Sequence, residues 1–183
     1  MNLHALGCVT GRFQPVHAQH LELFEIALAH CRHVVVAITN PDAGARYEEP
    51  TSAHRHTAAA NPFTFYERVR LIDAAVQERG WSGRISVVPF DLTSPAYWAG
   101  YVPLTACQFV RAYSAWERQK ARRFQDVGYG VALIEGDAAA RVSAGDIRDR
   151  MRAGSAGWQA QVAPATVALL LEMLAERSLA ERG

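Results

Sequence analysis

Residues 33–38 read His-Val-Val-Val-Ala-Ile, a continuous run of β-branched and small apolar side chains. A strand with one wet face alternates polar and apolar residues. This one does not, so both of its faces must be covered, as happens in parallel sheets. Upstream, Leu6–Val9 is a short apolar run, and Leu21, Phe24, Ala27 or Leu28, and Cys31 fall at helical spacing. Strand, helix, strand over about thirty-five residues is one βαβ unit. The same grammar continues. Thr64-x-x-Glu67 is a capping box opening a helix whose apolar face is Val69, Leu71, Ile72 and Ala75. Ile85–Phe90, Phe109–Tyr113 and Gly130–Ile134 read as strands, and Ser114–Gln125 as a charged amphipathic helix. Ser143–Met151 and Ala163–Arg177 read as two closing helices. From Asn40 to Asn61 periodicity vanishes, and a loop that long is usually functional or disordered. The order predicts an α/β fold with a doubly wound, Rossmann-like parallel sheet. Residues 1–183 form one domain, with 143–183 as a small C-terminal helical part of it. Ligands in such sheets sit beyond the carboxyl ends of the strands, which directs attention to the loops after Val9, Ile38, Val88 and Tyr113.

Composition removes several classes. Half the residues are hydrophobic and 20% are charged, with a net charge of +1. No strong basic field exists, so no nucleic-acid partner is expected. No apolar run reaches the roughly 18 residues that span a bilayer, and the first ten residues have no basic start, so neither membrane nor leader is expected and the location is cytoplasmic. Cys8, Cys31 and Cys107 are far apart and show no metal-binding spacing; they read as free thiols in a reducing compartment. Lys120 is the one lysine among 19 basic residues. It follows Gln119 rather than a glycine loop, which excludes a P-loop NTPase. Phosphate chemistry here falls to Arg, His and backbone N–H groups.

The first loop, Gly11-Arg12-Phe13-Gln14-Pro15-Val16-His17-Ala18-Gln19-His20, runs into the first helix. Residues three apart at a helix start lie on one edge. His17 and His20 there flank the unpaired N–H groups that make a helix N-terminus attract anions, and Arg12 adds a fixed charge with fork geometry. The set suits a phosphate chain. A capped turn with two solvated histidines fits the same spacing. A zinc pair is poorer, because no further ligand lies nearby.

The residues also carry a family resemblance. Gly11-Arg12-Phe13-Gln14-Pro15 followed by His17-x-x-His20 resembles the GRFQPxHxGH signature of archaeal-type nicotinamide mononucleotide (NMN) adenylyltransferases, of the HxGH, cytidylyltransferase-like superfamily. Asn61-Pro62-Phe63-Thr64-x-x-Glu67-Arg68 resembles its NPFTxxER segment, and Asp91-Leu92 with Trp98 its DI…W segment. Val142-Ser143-Ala144-Gly145-Asp146-Ile147-Arg148 resembles ISGTxIR, and Trp158 with Val162-Ala163-Pro164 the closing W…VP. The resemblance implies nucleotidyl transfer from a nucleoside triphosphate to a phosphorylated small acceptor, with pyrophosphate released and no covalent enzyme intermediate. NMN with ATP is the leading pair. The alternative is a cytidylyltransferase activating a phosphonate or other small phosphate with CTP. A third is a catalytically silent nucleotide-binding regulator. The family implies roles by position. His17, His20 and Arg148 would be catalytic; Gly11, Arg12, Phe13, Gln14, Gln19, Ser143 and Ile147 would bind nucleotide or phosphate. Asp91 and Trp98 would bind the acceptor, Trp98 as a stacking platform. Mg²⁺ would accompany the triphosphate without a dedicated protein metal site, and a homo-oligomer is the expected assembly.

Each role has a plainer competitor: Ser143 with Asp146 is an ordinary helix cap, Trp98 can be core, Asp91 can cap a turn, and Phe13 can be packing. Three departures bear on specificity. The glycine of HxGH is Gln19, whose amide either obstructs or binds the nucleotide. The hydroxyl residue of ISGTxIR is Gly145. Ala58-Ala59-Ala60 stands where the family carries a basic residue, and Arg55 with His54 and His56 either supplies that charge or is solvated. The segment Ser114–Lys120 also lacks the family's usual turn, which points to a changed base pocket.

Overall fold

Alternation along the central strands decides which helix covers which face. The computed structural model describes residues 4–46, 48 and 56–180. Its strands are β1 (His4–Gly11), β2 (Cys31–Thr39), β3 (Ile85–Phe90), β4 (Cys107–Ala112) and β5 (Gly130–Glu135). Its helices are α1 (Ala18–His30), α2 (Phe65–Glu78), α3 (Trp98–Tyr101), α4 (Ala115–Val127), α5 (Ala144–Arg152) and α6 (Pro164–Ala180). All pairings are parallel, in the order β3-β2-β1-β4-β5. This is the doubly wound, Rossmann-like arrangement.

On one face, Val9, Val34, Val36, Ile38 and Phe109 pack with Phe24 of α1, Leu71 of α2, Ile147 of α5 and Leu170 of α6. On the other, Cys8, Val35, Ala37, Phe90 and Val110 pack with Trp98 of α3 and Phe124 of α4. Val34 to Ile38 thus divide between two cores, which is why that run carries no polar position. The C-terminal helices share the first core, and Arg177 of α6 pairs with Glu67 of α2 at 2.6 Å. No helix among the described residues is long and apolar enough to cross a membrane.

Local signals set the boundaries. Thr64 accepts from the Glu67 amide at 3.2 Å while the Glu67 carboxylate accepts from the Thr64 amide at 2.6 Å, so the capping box forms as written. Ser114 and Glu117 make a second box at the start of α4. Cys31, which continues the helical spacing of α1, instead begins β2: its backbone is extended at φ −133°. Helix and strand join without a loop, and Cys31 reaches the same core from the strand. Of the aperiodic stretch, Ala58–Ala60 forms a short 3-10 turn. His54 and Arg55 lie outside the described residues.

Candidate active site

β1 and β2 pair from His4 to Gly11, whereas β1 and β4 pair only at Gly7 and Cys8. Beyond Cys8 the two strands part, and the order of connection reverses between them: β1 leads to β2 on one side, β4 to β5 on the other. A crevice must open there. It holds a cavity of about 510 Å³ between the ends of β1 and β4 and the first turns of α1, α4 and α5. Arg12, Arg111, Lys120 and Arg141 line it as fixed cations, against one carboxylate among the described residues, that of Glu117. That excess suits a polyanion.

His17 and His20 stand together at the start of α1, with ring centroids 3.7 Å apart and planes at 29°. Both line the cavity. The His17 amide donates to His20 Nδ1 at 3.2 Å, so the neutral His20 ring keeps its proton on Nε2. Burial, with Arg141 and Arg111 adding to it, pulls His17 down to about 3. Burial also lowers His20, helped by His17, Lys120, Arg111 and Arg12. Both rings are therefore neutral near pH 7 before an anion arrives. Phe13 backs the pair. Its backbone is left-handed at φ 50°, and its ring meets His20 edge-on at 4.9 Å. A Cβ on Gly11 would come within 2.8 Å of the Phe13 ring, so this glycine permits that packing.

Gln19, the residue in the glycine position, spans one wall. Its amide donates to the Ala140 carbonyl at 2.8 Å and accepts from the Val142 amide at 2.8 Å and the Tyr113 hydroxyl at 2.9 Å. It ties the segment before α5 to α1 and β4. Arg111 donates to the Gln19 carbonyl at 3.2 Å and to Glu22 at 2.9 Å.

Ser143 lines the cavity while capping α5 through the Asp146 amide at 3.3 Å. A side chain at Gly145 would crowd Ser143 Oγ at 3.2 Å. Arg148 does not line this cavity. It donates to the Gln14 carbonyl at 2.7 Å and lines a neighbouring hollow with Arg152 and Arg177. Burial and Arg152 lower its affinity for the proton, and Asp149 opposes them. Ile147 is fully buried in the first core, so its predicted contact with phosphate is corrected: it faces Met151 and the helices behind the site. The Gln14 side chain is committed to Phe63, donating to its carbonyl and accepting from its amide, both at 2.9 Å. It joins the first motif to the NPFT segment.

Of the predicted acceptor pair, Trp98 needs correction. Trp98 has no exposed surface; it packs against Phe90 and Phe124 in the second core, and its indole N–H donates to the Asp91 carbonyl at 2.7 Å. A ring with no exposed surface cannot stack a ligand. Asp91 accepts from the Thr93 amide and hydroxyl and from Ser94, as a turn cap does. Burial pushes this carboxyl up, but those bonds outweigh it and hold it below its ordinary value.

Sequence reasoning missed Arg111 and Arg141 as cavity residues and Arg68 as an organiser, while Lys120 falls in the Ser114–Lys120 segment tied to the base pocket. Arg68 is buried and donates to the carbonyls of Arg12, Thr39 and Asn40 at 3.0, 2.8 and 2.9 Å, drawing the ends of β1 and β2 together. The usable signal was an arginine at a core-facing position one residue after Glu67. Among the described residues no group of three or more His, Cys, Asp or Glu could hold a metal ion. A magnesium ion carried on triphosphate oxygens needs few protein ligands, so the cavity's donors are compatible with it.

The cytidylyltransferase-like family matches residues 8–148. A phosphonoformate cytidylyltransferase of Streptomyces viridochromogenes is 36% identical over 167 residues, 91% of this chain and 90% of that protein. A nicotinamide-nucleotide adenylyltransferase of Pyrococcus abyssi is 30% identical over 168 residues, 91% of this chain and 83% of that one. In shape, the chain resembles a bifunctional NMN adenylyltransferase/ADP-ribose pyrophosphatase of Francisella tularensis, with TM-score 0.62 and 17% identity over 97% of this chain and 54% of that longer protein. The same protein solved with AMP and a manganese ion gives 0.58. Parallel sheet, crevice, histidine pair and sequence relationship converge, and the chain belongs to the cytidylyltransferase-like family of nucleotidyltransferases.

Proposed function

We propose that this enzyme transfers a cytidylyl group from CTP to a small phosphonate or phosphate acceptor, releasing pyrophosphate. The observation that carries the acceptor class is the burial of Trp98, which removes that ring as a platform for nicotinamide. The relative at 36% identity, matched over nearly its whole length, supports the same reading. Adenylyl transfer to NMN is the second reading, favoured by the NPFT segment locked onto Gln14 and by the relative from Pyrococcus abyssi.

An acceptor oxygen attacks the α-phosphorus, a new P–O–P linkage forms, and the bond to the β-phosphate breaks as pyrophosphate leaves. The chain must hold two mutually repelling anions and stabilise charge that develops in transit. His20 presents Nε2–H from a fixed ring, and His17 stacks on it. The entering triphosphate's charge strengthens the hydrogen bond that His20 Nε2–H can donate and offsets the cations that depress His17. Arg12, Arg111 and Arg141 balance the triphosphate, and the first turns of α1 and α5 line the same cavity. Mg²⁺ bound with the nucleotide would neutralise part of its charge and aid pyrophosphate departure.

The test crosses ATP and CTP with NMN, phosphonoacetate and phosphonoformate, reading pyrophosphate. CTP with a phosphonate should turn over best, and His20→Ala should lower its rate about a hundredfold or more. Best turnover of NMN with ATP would establish the second reading instead.

A further inference from the structure

We propose that Gln19 sets the size of the nucleobase this site accepts: its side chain shortens the slot between α1 and β4, admitting a pyrimidine triphosphate and excluding a purine one. The inference rests on nucleotidyl transfer as the reaction and assigns the residue that selects its donor.

Two periodicities build the slot. Phe109 and Arg111 share one face of β4, and Tyr113 continues that side past the strand's end. Gln19 and Leu23 stand one turn apart on α1. All five line the cavity, and Arg111 and Tyr113 both donate to Gln19, so the two sides meet. A nucleobase is apolar on its faces and polar along its edge. Leu23 and Phe109 supply apolar surface, and the other three supply a few polar groups around it. The adjoining histidines, with Arg12 and Arg141, take the phosphates. The slot is therefore the nucleoside end of the cavity.

Glycine in the HxGH position would leave the slot open toward the segment before α5. Gln19 crosses that opening. Its amide donates to the Ala140 carbonyl at 2.8 Å and accepts from the Val142 amide at 2.8 Å and the Tyr113 hydroxyl at 2.9 Å. Tyr113 has little room to give way. A Cβ on Gly136 would come within 2.5 Å of its ring, and the Arg141 guanidinium stands 4.9 Å from the ring centroid. A larger ring could enter only by breaking three hydrogen bonds and moving this packing, which is how a site discriminates against a wrong ligand. The second, fused ring of a purine is the part that meets Gln19. The device reads ring size alone and does not separate cytosine from uracil.

Gln19→Gly reopens the slot, whereas Gln19→Met keeps most of the volume and drops the amide's bonds. The test compares kcat/KM for CTP and ATP, with phosphonoacetate or NMN as acceptor, whichever turns over. The wild type should prefer CTP. Gln19→Gly should lower the CTP-to-ATP ratio about tenfold or more, with kcat/KM for ATP rising in absolute terms. A destabilised fold cannot raise use of ATP, so this readout stands apart from a structural role. Gln19→Met should keep the ratio within about threefold of wild type. A wild type that does not prefer CTP, a ratio unchanged in Gln19→Gly or lowered only by lost CTP use, or Gln19→Met matching Gln19→Gly overturns the proposal. Should no pair turn over, the functional reading fails, and the filter is read by calorimetric titration of CTP and ATP into the whole protein. Tighter CTP in the wild type, with ATP affinity raised about tenfold in Gln19→Gly, supports it; no such gain, or no binding of either nucleotide, overturns it.

Discussion

Gln19 shows how one side chain changes what a shared motif does. Glycine at that position would leave a gap beside the histidines; here the amide fills it with bonds to Ala140, Val142 and Tyr113. Gln19→Gly removes three hydrogen bonds worth about 1 kcal/mol each at most, so unfolding free energy should fall by about 1–3 kcal/mol. Hydrogen exchange at the Val142 amide should rise with it. Full protection of that amide in the variant would show that Gln19 does not hold the segment. The histidines make a prediction in pH. Unfolded, His17 takes its proton near 6.5; folded, only near 3. The unfolded chain binds more protons between those values, so this residue's contribution leaves stability level above about pH 6.5 and lowers it as pH falls toward 3. Denaturation midpoints of wild type and His17→Asn between pH 7 and about pH 4 should therefore converge as the acid limb is approached, the variant losing less. Parallel curves would contradict the buried, neutral ring. Neither effect was legible beforehand. Sequence placed both histidines at a helix start, but their burial follows from tertiary packing and the partners of Gln19 lie more than ninety residues away.

At the scale of elements, periodicity and caps were read well because they are local. The capping box at Thr64 and the strand at 33–38 formed where their residues called for them. The short α3 and the fate of Trp98 did not follow from spacing, because an aromatic between two prolines can face a ligand or a core equally well. Packing decided: Trp98 is fully buried, in tilted contact with Phe90 and Phe124. Trp98→Phe should thus lower the melting temperature, through a lost hydrogen bond and a small cavity together costing about 1–3 kcal/mol, while the acceptor KM stays within about twofold. A large KM change with unaltered stability would return Trp98 to the acceptor site. The same logic applies to Arg148, whose motif marks it for phosphate but whose fork reaches a carbonyl of the first loop.

For the molecule as a whole, doubly wound topology was legible from element order, and with it the place of the crevice. What order could not reveal is where β1 and β4 stop pairing and which cations gather there. Arg111 and Arg141 carry no motif; they matter because β4 and the segment before α5 end at the same opening. With four fixed cations around it, the cavity should lose affinity for nucleoside triphosphate as salt is added. KM for CTP should rise several-fold between about 0.05 and 0.5 M salt, more steeply than kcat changes. Salt-insensitive binding would argue against a charge-lined nucleotide site. The Gln19 bridge also has a temporal meaning. Its partners lie 121 and 123 residues downstream, and Arg148 reaches back 134 residues to Gln14. During synthesis all five strands emerge before either tether exists. A nascent chain can thus lay down its sheet while the histidine-bearing loop still lacks both tethers, which only the last quarter of the polypeptide brings.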